Sequence, residues 1–401
     1  MTTRWEKLIM KNSYSLTAFS LYLNYLIHGV GLIILAQNME FLAKQWHTNT
    51  LAVAMVVSSL GIGKLIAVTV SGKMSDLWGR KQSISIGMVL YLCFFIGILL
   101  SPNAQIAYVL GFLGGAANSY LDTGTYPALM EAFPKSAASA NILVKAFMQI
   151  GQFILPFFIG FLIAHQFWFG YSFVAVAILL VLNLILILAC PFPPIQVNQP
   201  ITNNSKSSPR FSFTSDEVWL ILFGAIAQIL LYNLNNWLAV YGTEVIHFSS
   251  DLGRKLVSYA SIGAIICVLF TFYLSKRRVS TSKIVITYTF ATTVLSLILW
   301  LFHSPTVTII GSILLGYFSC GGLLQLGLIL LASVSRKGKG TLTSLYNISE
   351  AIAYFLIPFL VSFAAEKGVQ NAFLINALFA FIGCLLVLIV FRRHKETSAG
   401  L

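Results

Sequence analysis

Apolar runs of membrane-spanning length succeed one another from residue 15 to residue 391, and this succession limits the fold more than any single motif. A bilayer core of about 30 Å takes roughly 20 apolar residues when crossed as a helix. Runs of that kind cover 15–43, 49–71, 83–101, 105–130, 139–164, 171–190, 217–243, 254–275, 284–302, 306–333, 342–365 and 371–391, here called spans 1 to 12. Strands of a membrane barrel would alternate apolar and polar positions over about ten residues. Runs such as FIGCLLVLIVF (381–391) show no alternation, and backbone groups in hydrocarbon must bond within their own segment. The spans therefore predict an all-α polytopic membrane protein of twelve helices. The 401 residues are 58% hydrophobic and 9% charged, against about 45–50% and about 25% in soluble domains. That balance excludes a soluble enzyme, a disordered chain and a nucleic-acid binder.

The net charge of +13 belongs to the loops. With the N-terminus placed in the cytoplasm, 19 of the 25 Lys and Arg fall in cytoplasmic segments and four (Lys44, Arg254, Lys255, Lys367) fall outside. Lys64 and Lys145 lie within spans. This asymmetry orients the chain with both termini cytoplasmic in a cell membrane. The first apolar run exceeds a signal-peptide core and stays as span 1, after a short mixed lead-in, RWEKLIMK. Cys93, Cys190, Cys267, Cys320 and Cys384 lie in or at the end of spans without metal-ligand spacing, so neither a disulfide framework nor a metal site is expected.

Residues 191–216 are proline-rich and polar, a cytoplasmic linker that divides the spans six and six. Domains are expected at 1–190 and 217–401, the second ending in a short cytoplasmic tail. A shift of 202 residues lays FILPFFIGF (153–161) on FLIPFLVSF (355–363), with Pro156 over Pro358. The same shift puts Gly114 over Gly316 and the segment beginning at Gly72 over the basic loop 276–283. Two six-helix bundles built from such a repeat can rock about a site between them.

Between spans 2 and 3 stands GKMSDLWGRK, residues 72–81. Its Gly72-x3-Asp76-x2-Gly79-Arg80-Lys81 spacing resembles the signature loop of the major facilitator superfamily, and with the 6+6 repeat the resemblance covers essentially the whole chain. Span 11 runs outward from the cytoplasm, so its positive N-terminal end, near Thr341, lies on the side of Asp76. A carboxylate there could hold the halves together on the inside when the cavity faces out. The resemblance also implies an acidic partner for Arg80 at the cytoplasmic end of span 4, where Glu131 stands. Gly72, Asp76, Gly79, Arg80, Lys81 and Glu131 are assigned to gating. The second half departs from the pattern, with Arg278 over Asp76.

Ionisable residues inside a membrane are costly and functional candidates by default. Counting along the spans puts Lys64, Asp122, Lys145 and Glu350 at similar depth in the cytoplasmic half. Asn118, Asp122 and Thr125 share one face of span 4, and Lys145, Gln149 and Gln152 share one face of span 5. Two readings stand: two structural ion pairs, Asp122 with Lys145 and Lys64 with Glu350, or a proton-exchanging acid beside a lysine that holds a substrate oxygen. In the superfamily spans 1, 4, 7 and 10 line the cavity, which favours Asp122 for the proton, with Glu350 and His28 as further candidates. The imidazole of His28 titrates near neutrality in water, although a lone histidine is also a common structural residue.

Asn24 and His28 share a face of span 1, and span 10 offers Gln325. Span 7 is the most polar, with Gln228, Tyr232, Asn235, Asn236 and Trp237. Amides beside aromatic rings suit a small polar solute. YNLNNWLAVY (232–241) resembles a span 7 pattern of organic-anion symporters of the superfamily, and LDTGTYP (121–127) a stretch of fucose- and glucose-type symporters. Drug-exporting members place glycine directly before proline in span 5; Gly151-x4-Pro156-x3-Gly160 departs from that spacing. No P-loop, HExxH or GxSxG occurs, so no enzyme and no cofactor is expected. The sequence reads as a monomeric secondary transporter, a proton-coupled symporter of an organic acid or sugar-like solute. A proton-antiporting exporter of drugs or amphipathic metabolites is the alternative.

Overall fold

A computed structural model gives the fold and describes residues 14–134, 137–194, 214–276, 279–335 and 339–399. The N-terminal lead-in, most of the linker and Arg278 lie outside them. Seven helices form the first half: α1 (Ser15–Gln37), α2 (Met39–Gln45), α3 (Thr50–Trp78), α4 (Arg80–Leu100), α5 (Ala104–Ala132), α6 (Ala137–Ala164) and α7 (Tyr171–Ala189). The second half holds α8 (Ser215–Glu244), α9 (Ser250–Lys276), α10 (Thr281–Leu301), α11 (Pro305–Leu315), a π-helical turn (Gly316–Cys320), α12 (Leu323–Val334), α13 (Lys339–Ala365) and α14 (Asn371–Ala399). Among the described residues eleven segments are long and apolar enough to cross a membrane. The twelfth span is α5, whose length suffices but whose polar stripe lowers its hydropathy.

Successive spans run antiparallel, as bonds between their ends record. Arg80 at the start of α4 meets Glu131 at the end of α5, and Arg393 near the end of α14 meets Asp216 at the start of α8. These lie at the basic end of the bundle. Asn38 and Ser172, and Trp300 and Asn371, meet at the opposite end.

The repeat is visible in the packing. Between the halves α3 lies on α13, α9 on α6, and α1 on α8. Under the 202-residue shift α3 corresponds to α9 and α6 to α13, so the first two contacts are equivalent and the third maps onto itself. Close approaches repeat too. A β-carbon at Gly63 would fall on the Phe112 carbonyl and one at Gly115 on that of Leu60, while Gly263 is pressed on Ile313 and Gly316 on Ala260. Small residues let helix backbones approach closely in a membrane, where dispersion rather than water exclusion drives association. By this packing the equivalent of Gly316 is Gly115, one residue on from the Gly114 that the sequence shift aligns with it. Pro156 and Pro358 both sit inside their helices, α6 and α13.

Three spans differ from the sequence expectation. Span 1 breaks at Asn38, whose amide bonds the Ile34 carbonyl (3.0 Å) and Ser172 Oγ (3.3 Å), leaving α2 as a separate short helix. The 72–81 segment is not a loop: α3 continues through Gly72 to Trp78, since one glycine costs a helix only about 1 kcal/mol. The reversal is made at Gly79 alone, at φ 107°, a conformation glycine adopts without penalty. Span 10 is interrupted by its π turn, where Gly316 and Gly321 admit α9 against the helix.

Candidate functional site

Helix α3 stands between α5 of its own half and α13 of the other, and glycines set both distances. A β-carbon on Gly115 would come within 2.7 Å of the Lys64 backbone nitrogen, and one on Gly61 within 2.7 Å of Phe355 Cα. Ser119 of α5 donates to the Lys64 carbonyl at 2.8 Å. The Lys64 side chain therefore emerges between two acids on different halves. Its Nζ lies 3.7 Å from Asp122 Oδ2 and 3.5 Å from Glu350 Oε2, with the three side chains between 11% and 20% exposed.

Aromatic rings surround this triad. Tyr25 of α1 donates to Asp122 Oδ1 at 2.5 Å, and the His28 ring stacks on Tyr25 with centroids 5.1 Å apart and planes 5° from parallel. Tyr126 sets its edge against Tyr25 at 5.7 Å, and His28 meets Tyr91 of α4 at 6.0 Å. Tyr91 donates to Asn118 Oδ1. From the second half, Tyr354 packs edge-on against Tyr232 at 5.4 Å.

The sequence pairing of Asp122 with Lys145 is corrected here. Lys64 is the ion-pair partner of both Asp122 and Glu350, while Lys145 stands beside Tyr126 with Asp122 and Glu350 in electrostatic range. Position along a span fixes the depth of a side chain but not the direction it faces. The expected Lys64–Glu350 pair is present. Asn24, assigned to the solute, turns its Oδ1 to the Asn183 amide of α7 at 2.7 Å, within the first half. Gln149 and Gln228 are buried, and Gln325 is half-buried in α12. On α8, Asn235 is buried, the Asn236 amide donates to its own helix at the Tyr232 carbonyl, and Trp237 is 3% exposed. Several buried polar atoms have no protein partner, among them His28 Nδ1, Gln152 Nε2, Asn236 Oδ1 and Tyr354 OH. Buried polar groups are normally paired, so such atoms mark places for water or solute.

Sequence reasoning missed Tyr25, Tyr91 and Tyr126 as members of the cluster. Tyr126 follows Asp122 by four residues and Tyr25 precedes His28 by three, spacings that share a helix face. Tyr91 gave no such signal in an apolar span.

The gating residues assemble at the basic end. Arg80 bonds Glu131 Oε1 (3.1 and 3.2 Å), Ser75 Oγ (2.8 Å) and Asp76 Oδ1 (2.6 Å), and Lys81 donates to the carbonyls of Leu188 and Cys190. Asp76, 71% exposed, is turned to Arg80 in its own half. Gly72 lies in α3 with open space around it. Hydrogen bonds and ion pairs between the halves occur at mid-depth and at the opposite end. There Arg254 of α9 bonds the Gln37 carbonyl (3.2 Å) and Glu40 (3.7 Å), and Ser258 bonds the Phe153 carbonyl (2.8 Å).

Similarity to known proteins agrees with this architecture. The chain is 39% identical over 391 residues to the inner membrane transport protein YdiM of Escherichia coli, covering 97% of each. It is 34% identical to the inner membrane transport protein YdiN of the same organism, over 95% of this chain and 91% of that one. Among solved structures a D-xylose–proton symporter superposes with TM-score 0.76 at 14% identity, over 93% of this chain and 96% of that one, which shows a shared fold. The sequence profile of the Major Facilitator Superfamily matches residues 21–307 and 255–401. This chain is an integral membrane transporter, not an enzyme, and belongs to the major facilitator superfamily.

Proposed function

We propose that the protein is a proton-coupled symporter of a small polar solute, an organic acid or a sugar-like molecule, working by alternating access. The observation that carries this reading is Lys64 held between Asp122 of its own half and Glu350 of the other. Rocking of the halves must alter the second pairing more than the first. A carboxylate that gains and loses its ammonium partner during a cycle gains and loses the reason to stay ionised. Asp122 and Glu350 are thus the proton candidates, with His28 stacked beside them as the third.

In the same reading the basic end is cytoplasmic, the domains are residues 1–190 and 217–401 joined by the 191–216 linker, and the Asp76–Arg80–Glu131 set gates the inner side. The bonds of Arg254 and Ser258 would then close the outer side. The likeness in fold to a named proton symporter supports the reading, and so do the unpartnered polar atoms of α6, α8 and α13.

The test is uptake into proteoliposomes under an inward proton gradient, screened over organic acids, sugars and drugs. A solute accumulated only with the gradient, with accumulation abolished but exchange retained in Asp122→Asn or Glu350→Gln, supports symport. Accumulation driven only by an opposed proton gradient would assign antiport instead.

A further inference from the structure

We infer that the transported solute is a monoanion, a small monocarboxylate anchored by Lys145, and that it moves with one proton in an electroneutral cycle. This rests on the symport reading and adds the charge of the solute to it. Among the described residues Lys145 has no carboxylate within ion-pair distance, whereas Lys64 has two. Lys145 is half-buried, sits beside the Tyr126 hydroxyl, and shares its helix face with Gln149 and Gln152. An ammonium at this depth held by a phenol but by no carboxylate is expensive, and a ligand carboxylate is the group that would complete it.

Buried groups able to donate are left unpaired elsewhere in the two halves. Gln152 Nε2 lies about two turns along α6, and Tyr354 OH comes from the second half. Tyr354 is within electrostatic range of Tyr91, which joins these groups to the ring around Asp122. An amide N–H and a phenol O–H can each donate to an acceptor oxygen of the solute.

Charge counting gives the stoichiometry. The ionisable groups facing one another are Lys64 on α3, Asp122 and Tyr126 on α5, Lys145 on α6 and Glu350 on α13, with Tyr25 and His28 on α1. Tyr91 on α4, Tyr232 on α8 and Tyr346 and Tyr354 on α13 complete the set. With the phenols and imidazole neutral, two ammonium groups balance two carboxylates. One proton taken from the outer solution onto Asp122 or Glu350 leaves a net charge of +1. A single monoanion neutralises it, and release of both to the inside restores the balance. A dianion would need a second proton, and a neutral sugar would leave the loaded site charged.

The test begins with thermal unfolding of the purified full chain at acidic and neutral pH. The probes are lactate, gluconate and benzoate, with lactamide and benzamide, glucose and succinate for comparison. At least one monocarboxylate should raise Tm saturably, more at acidic pH, while its amide does not. Lys145→Gln should weaken that response by about ten- to a hundred-fold, as for a lost hydrogen bond to a charged group, and Lys145→Arg should restore part of it. No response to any monocarboxylate, or a response kept in Lys145→Gln, overturns the inference. The responding probe is then followed into proteoliposomes, where accumulation should track the proton gradient and ignore a valinomycin-set potassium potential. Potential-driven accumulation, or proton-driven uptake of glucose alone, overturns the monoanion balance and leaves symport standing. Binding without any proton-driven accumulation overturns symport itself.

Discussion

Replacing Lys64 by glutamine tests the centre of the site most directly. At an effective dielectric of about 20, each contact of 3.5–3.7 Å contributes about 4–5 kcal/mol of attraction before desolvation is subtracted. Removing one member of a buried pair costs about 3–5 kcal/mol net, because the abandoned charge stays in low dielectric. Lys64→Gln abandons two carboxylates that share one ammonium, so a loss at the upper end of that range is expected. Glu350→Gln alone leaves Lys64 its Asp122 contact and should cost less. In the double variant Lys64→Gln, Glu350→Gln only Asp122 lacks its partner, with Tyr25 still donating to it and Lys145 nearby. The double variant should then be more stable than Lys64→Gln, the two costs falling short of additivity by a coupling of about 0.5–3 kcal/mol, the range for residues in one charge network. Thermal unfolding of the detergent-solubilised variants supplies the cycle. A double variant no more stable than Lys64→Gln, or costs that simply add, would refute the shared-lysine account.

Three further outcomes are expected. Arg254→Ala removes the bonds to the Gln37 carbonyl and Glu40, and losing about 1–3 kcal/mol of charge-assisted bonding should raise the outward-open population by roughly five- to a hundred-fold. A cysteine placed at Gln37 should then label faster with an impermeant reagent; unchanged labelling speaks against the latch. Arg80→Ala frees Glu131 and Asp76 together and should slow transport while solute binding persists, so full transport rates in Arg80→Ala and Asp76→Asn would remove the gate assignment. Gly63→Ala presses a methyl on the Phe112 carbonyl and should cost about 1–3 kcal/mol by overpacking, whereas Gly72→Ala meets open space and should raise Tm or leave it unchanged. Equal effects from the two would mean that α3 and α5 are not held at glycine distance.

What the sequence determined by itself was everything that depends on transfer from water to lipid. Hydrophobicity is a sum over neighbours in the chain, so the spans, their six-and-six division and the residues too polar to sit there by accident were all legible. Lys64, Asp122, Lys145 and Glu350 were recognised because an ionisable group among apolar neighbours stands out locally. Their partners were not legible. Which carboxylate meets Lys64 depends on the direction each helix faces and on how closely α3 approaches α5 and α13. Those distances are set by Gly61 and Gly115, far apart in sequence and acting through the backbones of other helices. The same reason hid Tyr91, whose hydroxyl matters only because α4 turns it toward Asn118. It also made Lys145 look like the mate of Asp122, since equal depth is readable from a one-dimensional count and azimuth is not. Local chemistry chose the residues that enter the membrane, and helix–helix contact geometry alone decided which of them touch.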